Sequence, residues 1–243
     1  MSKLRISGDS SGYVDLEAPA TAGTTTIALE QIPLKNAVNT FTSGQNITVP
    51  GNGGLTVQAG TNGSASLRLK NDATDWDINC QTTDNFAIYN HTTGGNRLGI
   101  TPAGIVTTPA QPSFHAYPSG TTGNGAGAWI PFPCNNASHN IGNHYNTSTY
   151  TFTAPVAGVY QFNASPRFDS VGSGYHAVRF YKNGATLAGA YAISEAIGNY
   201  NTLNYSGAIL LAANDTIQPK LLCSSDGSWT VSNQGHFSGY LLG

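Results

Sequence analysis

Apolar and polar residues alternate in short bursts along this chain, and nearly every burst closes on glycine, proline or asparagine. Near the start, "KLRIS", "GYVDLE", "TTTIALE" and "QNITV" read this way. A period of two places alternate side chains on opposite faces and predicts half-buried strands. Apolar residues at helical spacing never persist through three turns before a Gly or Pro interrupts them. The pattern predicts an all-β chain.

Texture divides the chain into three. Residues 1–49 hold brief alternating segments. Residues 50–109 run "GGLTVQAG", "SASLRLKND", "DWDINCQ", "NFAIYNHTTGG" and "NRLGITPAG", a loose series of hairpin-like units anchored on Leu55, Leu67, Trp76, Phe86 and Leu98. Each such strand carries only two or three apolar residues on one face. A stretch of roughly 60 residues like this buries too little apolar surface to offset about 1–2 kcal/mol of backbone entropy per residue. Two arrangements are open: a small monomeric β domain, or three chains wound together so that the apolar faces meet on an axis and sheet edges pair across chains. The second removes the deficit, so a trimeric intertwined β shaft is the preferred expectation.

Residues 110–243 have longer and more aromatic strands. The alternation predicts them at 113–117, 128–132, 149–154, 158–164, 175–182, 186–193, 202–212, 216–223 and 235–242. That number in so short a span implies a two-sheet sandwich. In an antiparallel sandwich successive connections alternate between its two ends. From residue 149 onward the short turns 155–157, 183–185 and 213–215 alternate with the long connections 165–174, 194–201 and 224–234. The long connections, with 118–128 and 133–148, are therefore expected at one end, distal to a shaft that joins the short-turn end.

Composition narrows the classes. Charged residues make up 9% of the chain, against about 25% in ordinary domains. The 12 Tyr, 9 Phe and 3 Trp argue against disorder. A net charge of −2 with no basic run leaves no electrostatic footprint for nucleic acid. No apolar run approaches the roughly 20 residues of a membrane helix. "MSKLRISGDSSGYVDLE" lacks the apolar centre of a secretory signal, so synthesis in a cytoplasm is expected. Cys80, Cys134 and Cys223 are too scattered for a disulfide framework and read as buried thiols, a Cys134–Cys223 bridge being the alternative.

One motif is more specific. Phe152-x-x-Pro155-x-x-Gly158-x-Tyr160-x-Phe162 resembles the signature of the C1q/tumour-necrosis-factor-like jelly roll. "QPSFHAY", the Asn183-Gly184 turn after "VRFYK", "AILLAANDTIQPKL" and "GHFSGYLLG" follow in the order that fold requires. The resemblance covers residues 111–243. One departure is Asn214, where the family often has Gly before Asp215; Asn also tolerates left-handed geometry. The resemblance implies a homotrimer, in which Tyr160, Phe162, Phe237 and Tyr240 fill either the head core or the trimer interface. "SGYVDLEAPATAGTTTIALE" resembles the N-terminal segments of bacteriophage tail fibres, and "NRLGITPAGIVTTPAQPSF" a passage from shaft to head. These likenesses imply a virion protein. Residues 1–49 would attach to other virion proteins and 50–109 form the shaft. Residues 110–243 would form a C1q-like jelly-roll head that binds a host surface glycan. A purely architectural virion role is the alternative.

Loops on a rigid scaffold are where binding concentrates. The distal candidates are Arg167, Asp169, Glu195, Tyr200, Asp226, Trp229 and Asn233. Trp229 is open to two readings: an indole stacking on a sugar while Asp226 and Asn233 hydrogen-bond it, or a ring packed beneath its own loop. Asp226 is also the candidate for Ca²⁺ at the tip, which the resemblance allows, though the acidic cluster is thin. No other cofactor is expected. His139 and His144 could offer one ligand per chain around a threefold axis, a weak signal. Asp72, Asp75 and Asp77 could act as paired acid and base in glycoside cleavage, but read better as solvated turn acids. No phosphate loop or nucleophile motif of useful strength occurs, so a non-enzymatic protein is expected.

Overall fold

The computed structural model describes residues 3–7, 13–17, 57–123, 127–169, 174–195, 200–224 and 229–243. Its regular elements are all strands. The chain divides into two compact units, Met1–Thr56 and Val57–Gly243. In the first, β1 (Lys3–Ser7) and β2 (Tyr13–Glu17) pair antiparallel.

The second unit opens with an antiparallel meander of five strands in sequence order. These are β3 (Ala65–Lys70), β4 (Asp75–Cys80), β5 (Phe86–Asn90), β6 (Asn96–Ile100) and β7 (Val106–Thr107). Cross-strand register aligns Leu67, Ile78, Ile88 and Leu98 in one row, and Ala65, Cys80, Phe86, Ile100 and Val106 in the next. Leu69 and Trp76 continue the same face. One face is thus apolar, yet Leu67, Leu69 and Val106 are 50%, 53% and 61% exposed. The opposite face holds the covered residues Asp77, Asn79 and Ala87. None of the meander's apolar residues belongs to the main core cluster.

The remaining strands build the sandwich. They begin with β8 (Ser113–Tyr117), β9 (Thr121–Gly123), β10 (Ile130–Pro131), β11 (Asn136–Ile141) and β12 (Tyr145–Asn146). Then come β13 (Thr151–Thr153), β14 (Gly158–Ser165), β15 (Arg167–Asp169), β16 (Tyr175–Lys182) and β17 (Ala185–Glu195). The last are β18 (Tyr200–Thr202), β19 (Tyr205–Leu211), β20 (Thr216–Cys223), β21 (Trp229–Val231) and β22 (His236–Leu241). One sheet has the order β11-β8-β22-β14-β19; the facing one is β12-β13-β20-β16-β17, with β10 also on β20.

Aromatic rings fill the space between the two sheets. Phe152 leaves one sheet on β13, the 155–158 turn crosses over, and Tyr160 and Phe162 return on β14 of the other. Their rings meet across the gap, Phe152 lying 5.4 Å from Tyr160 and 5.3 Å from Phe162. Sheets pack about 10 Å apart, a distance that large flat side chains span from both sides. Tyr160, Phe162 and Phe237 are fully buried and so belong to the head core. Tyr240, on the alternate face of β22, is 50% exposed and contributes nothing to that core.

Turn chemistry matches the expectations. Asn183 and Gly184 both have positive φ, at 52° and 80°, the geometry of the tight hairpin turn. Asn214 takes the left-handed conformation at φ 70°. The short-turn end is tied together where the Asn183 Nδ2 donates to Asp215 Oδ1 at 2.7 Å and Asn214 N to Ala154 O at 2.7 Å. The chain enters there too, since Leu241 N donates to Pro112 O at 3.1 Å.

The expected strand at 128–132 shrinks to β10, and 202–212 splits into β18 and β19. The segment 133–148, expected as a distal loop, instead supplies edge strands β11 and β12, one to each sheet. "NASHNI" shows no apolar alternation, and only pairing with β8 makes it a strand.

Candidate functional site

The other long connections do gather. Strands β9, β15, β18 and β21 lie one within each of 118–128, 165–174, 194–201 with its continuation, and 224–234. They pair as a separate four-stranded sheet in the order β18-β15-β21-β9. Short three-residue strands carry too weak a period to be read from sequence, which is why these segments look like loops there.

The distal candidates divide on this sheet. Register sets Asp169 opposite Tyr200 and Arg167 opposite Thr202. Arg167 Nε donates to Asp169 Oδ1 at 2.8 Å, and its guanidinium carbon lies 4.6 Å from the Tyr200 ring centroid. A second guanidinium nitrogen donates to Gln234 Oε1. Arg167, Asp169 and Tyr200 thus form one patch, with Tyr200 61% exposed. Arg167 is already committed to a carboxylate, which lowers its worth to an anionic ligand. Glu195 is exposed at the end of β17, where its carbonyl accepts from Asn201 Nδ2 at 3.2 Å. Asn233 is exposed in the turn after β21. Asp226 lies outside the described residues.

Of the two readings of Trp229 the structure selects the packed ring and rules out the exposed sugar platform. The ring is 1% exposed and 5.3 Å from Phe168. Alternation on β21 turns Trp229 and Val231 inward and Thr230 outward. Burying so large an apolar ring outweighs the unpaired indole Nε1, which has no partner among the described residues.

Among the described residues no group of three or more His, Cys, Asp or Glu is placed to hold a metal. Of the two tip acids that are described, Asp169 is paired with Arg167 and Glu195 is exposed. The Ca²⁺ expectation at the tip rests on Asp226, which lies outside the described residues.

Two of the three acids singled out in the meander are likewise engaged, while Asp72 is exposed in the bend before β4. Arg68 Nε donates to Asp75 Oδ1 at 2.7 Å, and the charged pair holds the Asp75 carboxyl below its ordinary range. Asp77, expected as a solvated turn acid, instead sits on β4, 7% exposed, with His91 Nε2 2.8 Å from its Oδ2. Strand pairing buries it, and the imidazole compensates. The two carboxylates face separate partners, Arg68 and His91, and not each other.

Two groupings arise only from tertiary pairing. Cys223 Sγ lies 3.2 Å from His176 Nε2, and Asn201 Nδ2 lies 3.4 Å from His176 Nδ1. A thiol, an imidazole and an amide in line resemble a nucleophile, its base and an orienting group. Both Cys223 and His176 are 0% exposed, however, and burial pushes the imidazole pKa down. The thiol and the imidazole are sealed from solvent, and only Asn201 is partly accessible. Cys134 is also a buried thiol, its pKa pushed up by burial, so the bridge to Cys223 is absent.

The second grouping is His115, His139 and His236 on the outer face of the sheet containing β8. His115 lies 5.2 Å from His236 and 6.4 Å from His139, ring to ring. Its Nδ1 is 3.0 Å from Ser138 Oγ. His144, paired with His139 in the sequence reading, is half-buried elsewhere, and burial lowers its pKa.

Residues 115–242, more than half of the chain, match the C1q domain family. Among solved structures, the globular domain of zebrafish complement 1qA protein is similar over 55% of this chain and 98% of its own, at 16% identity and a TM-score of 0.43. Murine APRIL at pH 5.0 is similar over 54% of this chain and 98% of its own, at 17% identity and a TM-score of 0.42. The Eiger TNF from S. frugiperda is similar over 55% and 94%, at 9% identity and a TM-score of 0.42.

Proposed function

The chain belongs to the C1q domain family, and from that premise we propose that it is the protomer of a homotrimeric bacteriophage fibre whose head binds a host surface glycan. In this reading residues 1–49 attach to other virion proteins, 50–109 form the projecting shaft, and 110–243 form the head. The role is one of contact and not of catalysis.

The observation that carries the reading is the open apolar face of the meander. Leu67, Leu69, Ile78, Phe86 and Val106 share that face, and all are substantially exposed. A contiguous apolar patch of this kind is rare on a monomer and marks an interaction surface. Three copies arranged about an axis bring three such faces together and supply the dry interior that one sheet lacks. The fibre-like N-terminal segment supports a virion as the setting, and the low charge suits contact through hydrogen bonds and stacking.

The test is sedimentation of the full chain and its Ile78→Asp variant. Wild type is expected as a trimer. Burial of an isoleucine is worth about 2 kcal/mol per copy, and a carboxylate in its place should shift the variant toward monomer. A stable wild-type monomer refutes the fibre. Host adsorption in the presence of the purified full chain then separates the two roles. Competition supports receptor binding; its absence supports an architectural virion protein.

A further inference from the structure

The sheet that contains β16, β17 and β20 has an outer face unlike the rest of the head. Arg179 sits on β16 directly between Tyr191 of β17 and Lys220 of β20 in the cross-strand register. Its neighbours Val178 and Phe180 point into the core, so Arg179 points outward. Its guanidinium carbon lies 5.0 Å from the Trp129 ring centroid and 4.6 Å from that of Tyr191. Lys220 Nζ lies 4.3 Å from the Tyr181 ring. Trp129 in turn lies 6.3 Å from Tyr181 and 6.2 Å from Tyr191. Three aromatic rings and two cations thus share one surface.

Neither cation forms an ion pair among the described residues, whereas Arg68, Arg167 and Lys182 all do. The only carboxylate within the strands of this sheet is Glu195, which pairs with Tyr175 at the far end of β17. The ring faces orient the cations but do not neutralise them.

A groove adjoins them. The pairing of β16 with β17 shifts between Arg179 and Tyr181, where residues 187–190 have no partner in the register. Gly189 adopts φ +75° in that bulge. Bulges re-aim side chains and open space beside a strand. The resulting pocket is lined by Arg179, Thr186, Leu187, Ala188, Gly189 and Tyr191.

We propose that this face binds an acidic sugar residue of a glycan, the pyranose stacking on Tyr191 or Trp129 and its anionic group meeting Arg179 and Lys220. A sugar ring has apolar C–H faces that suit an aromatic platform, and a carboxylate or sulfate suits the forked donors of an arginine without a counter-ion. The proposal refines the glycan-binding reading above and rests on it only for the biological setting. It places the contact on the side of the head, where the rings are accessible, and not on Trp229.

The experiment titrates the full chain with three probes: galacturonic acid hexamer, a sulfated heparin-derived hexasaccharide and neutral cellohexaose. Binding is read by tryptophan fluorescence and calorimetry. At least one acidic probe is expected to bind about tenfold or more tightly than cellohexaose, the scale of one charge-assisted contact. The carboxylate and sulfate arms identify the anion. Arg179→Gln should remove that preference, and Tyr191→Ala should weaken all binding, with melting curves showing both variants folded. Equal affinity for charged and neutral probes, or undiminished binding by folded Arg179→Gln, overturns the proposal. Adsorption competition keeps the two readings apart. If wild type competes and both variants compete equally, this site fails and the receptor reading stands. If the acidic probe binds here but wild type does not compete, the site stands and the receptor reading fails.

Discussion

Replacing Gly239 with alanine tests how tightly the aromatic core is built. Gly239 on β22 lies opposite Phe162 on one side and Phe114 on the other. A β-carbon there would sit 2.5 Å from Phe162 Cδ1, 2.7 Å from its Cε1 and 2.9 Å from Phe114 Cε1. Carbon atoms rest about 3.5–4.0 Å apart, so each ring would have to withdraw by roughly 1 Å. Neither has room. Phe162 already meets Phe152 at 5.3 Å and Phe180 at 6.2 Å, while Phe114 meets Phe237 at 4.9 Å and Tyr145 at 4.7 Å. Overpacking a core costs about 1–3 kcal/mol, and obstruction by two rings puts this case near the top of that range. Alanine recovers roughly 0.5–1 kcal/mol of the backbone entropy that glycine loses. The net destabilisation is then about 2 kcal/mol, or roughly 6–10 °C in Tm for a domain of this size. Scanning calorimetry of the purified chain measures it. Combining Gly239→Ala with Phe162→Leu, which withdraws the nearest ring carbons, should cost less than the sum of the two changes by about 1 kcal/mol. A single variant melting within about a degree of wild type, or strict additivity in the double variant, refutes the reasoning.

Two predictions concern pH. Asp215 accepts from Asn183 Nδ2 at 2.7 Å, Lys182 Nζ at 2.8 Å and Ala212 N at 2.8 Å, which lowers its pKa to about 2. Its folded pKa lies below its unfolded value of about 3.9, so its contribution is complete above pH 4 and is lost as pH falls toward 2. Asp215→Asn should be less stable at neutral pH and show a shallower loss across that window; unfolding midpoints in urea at pH 7, 4 and 2.5 check this. His236 has its pKa lowered by burial first and by the nearby His115 second. Its neutral form is favoured in the fold, so stability is full above about pH 6.5 and declines as pH drops toward the lowered folded value. His236→Gln should flatten part of the decline between pH 7.5 and 5, and an unchanged slope would assign it to His176 and His144, which burial also shifts downward.

The sequence by itself determined the class of structure and much of its framework. The alternation in "SFHAY", "YHAVRFYK" and "TIQPKLLC" marks strands whose bounds match β8, β16 and β20 residue for residue. This succeeds because one face of each meets a dry core and the other meets water, so period two is written into composition. The turns at Asn183-Gly184 and Asn214 were legible through the family resemblance, and both adopt the left-handed backbone that Asn and Gly tolerate. The gathering of 165–174, 194–201 and 224–234 followed from strand parity, whereas 133–148, expected with them, supplies edge strands instead.

Tertiary structure decided everything that depends on which strands become neighbours. β11, β9, β15 and β21 are strands only through their partners. Whether Trp229 faces water or Phe168 is set by the pairing of β21 with β15, a relation between segments some 60 residues apart. The same holds for the line of Cys223, His176 and Asn201, and for the surface where Trp129, Arg179, Tyr191 and Lys220 converge from four segments. A local pattern records which way each side chain points from its own strand. It does not record what the neighbouring strand brings alongside, and binding chemistry depends on that juxtaposition.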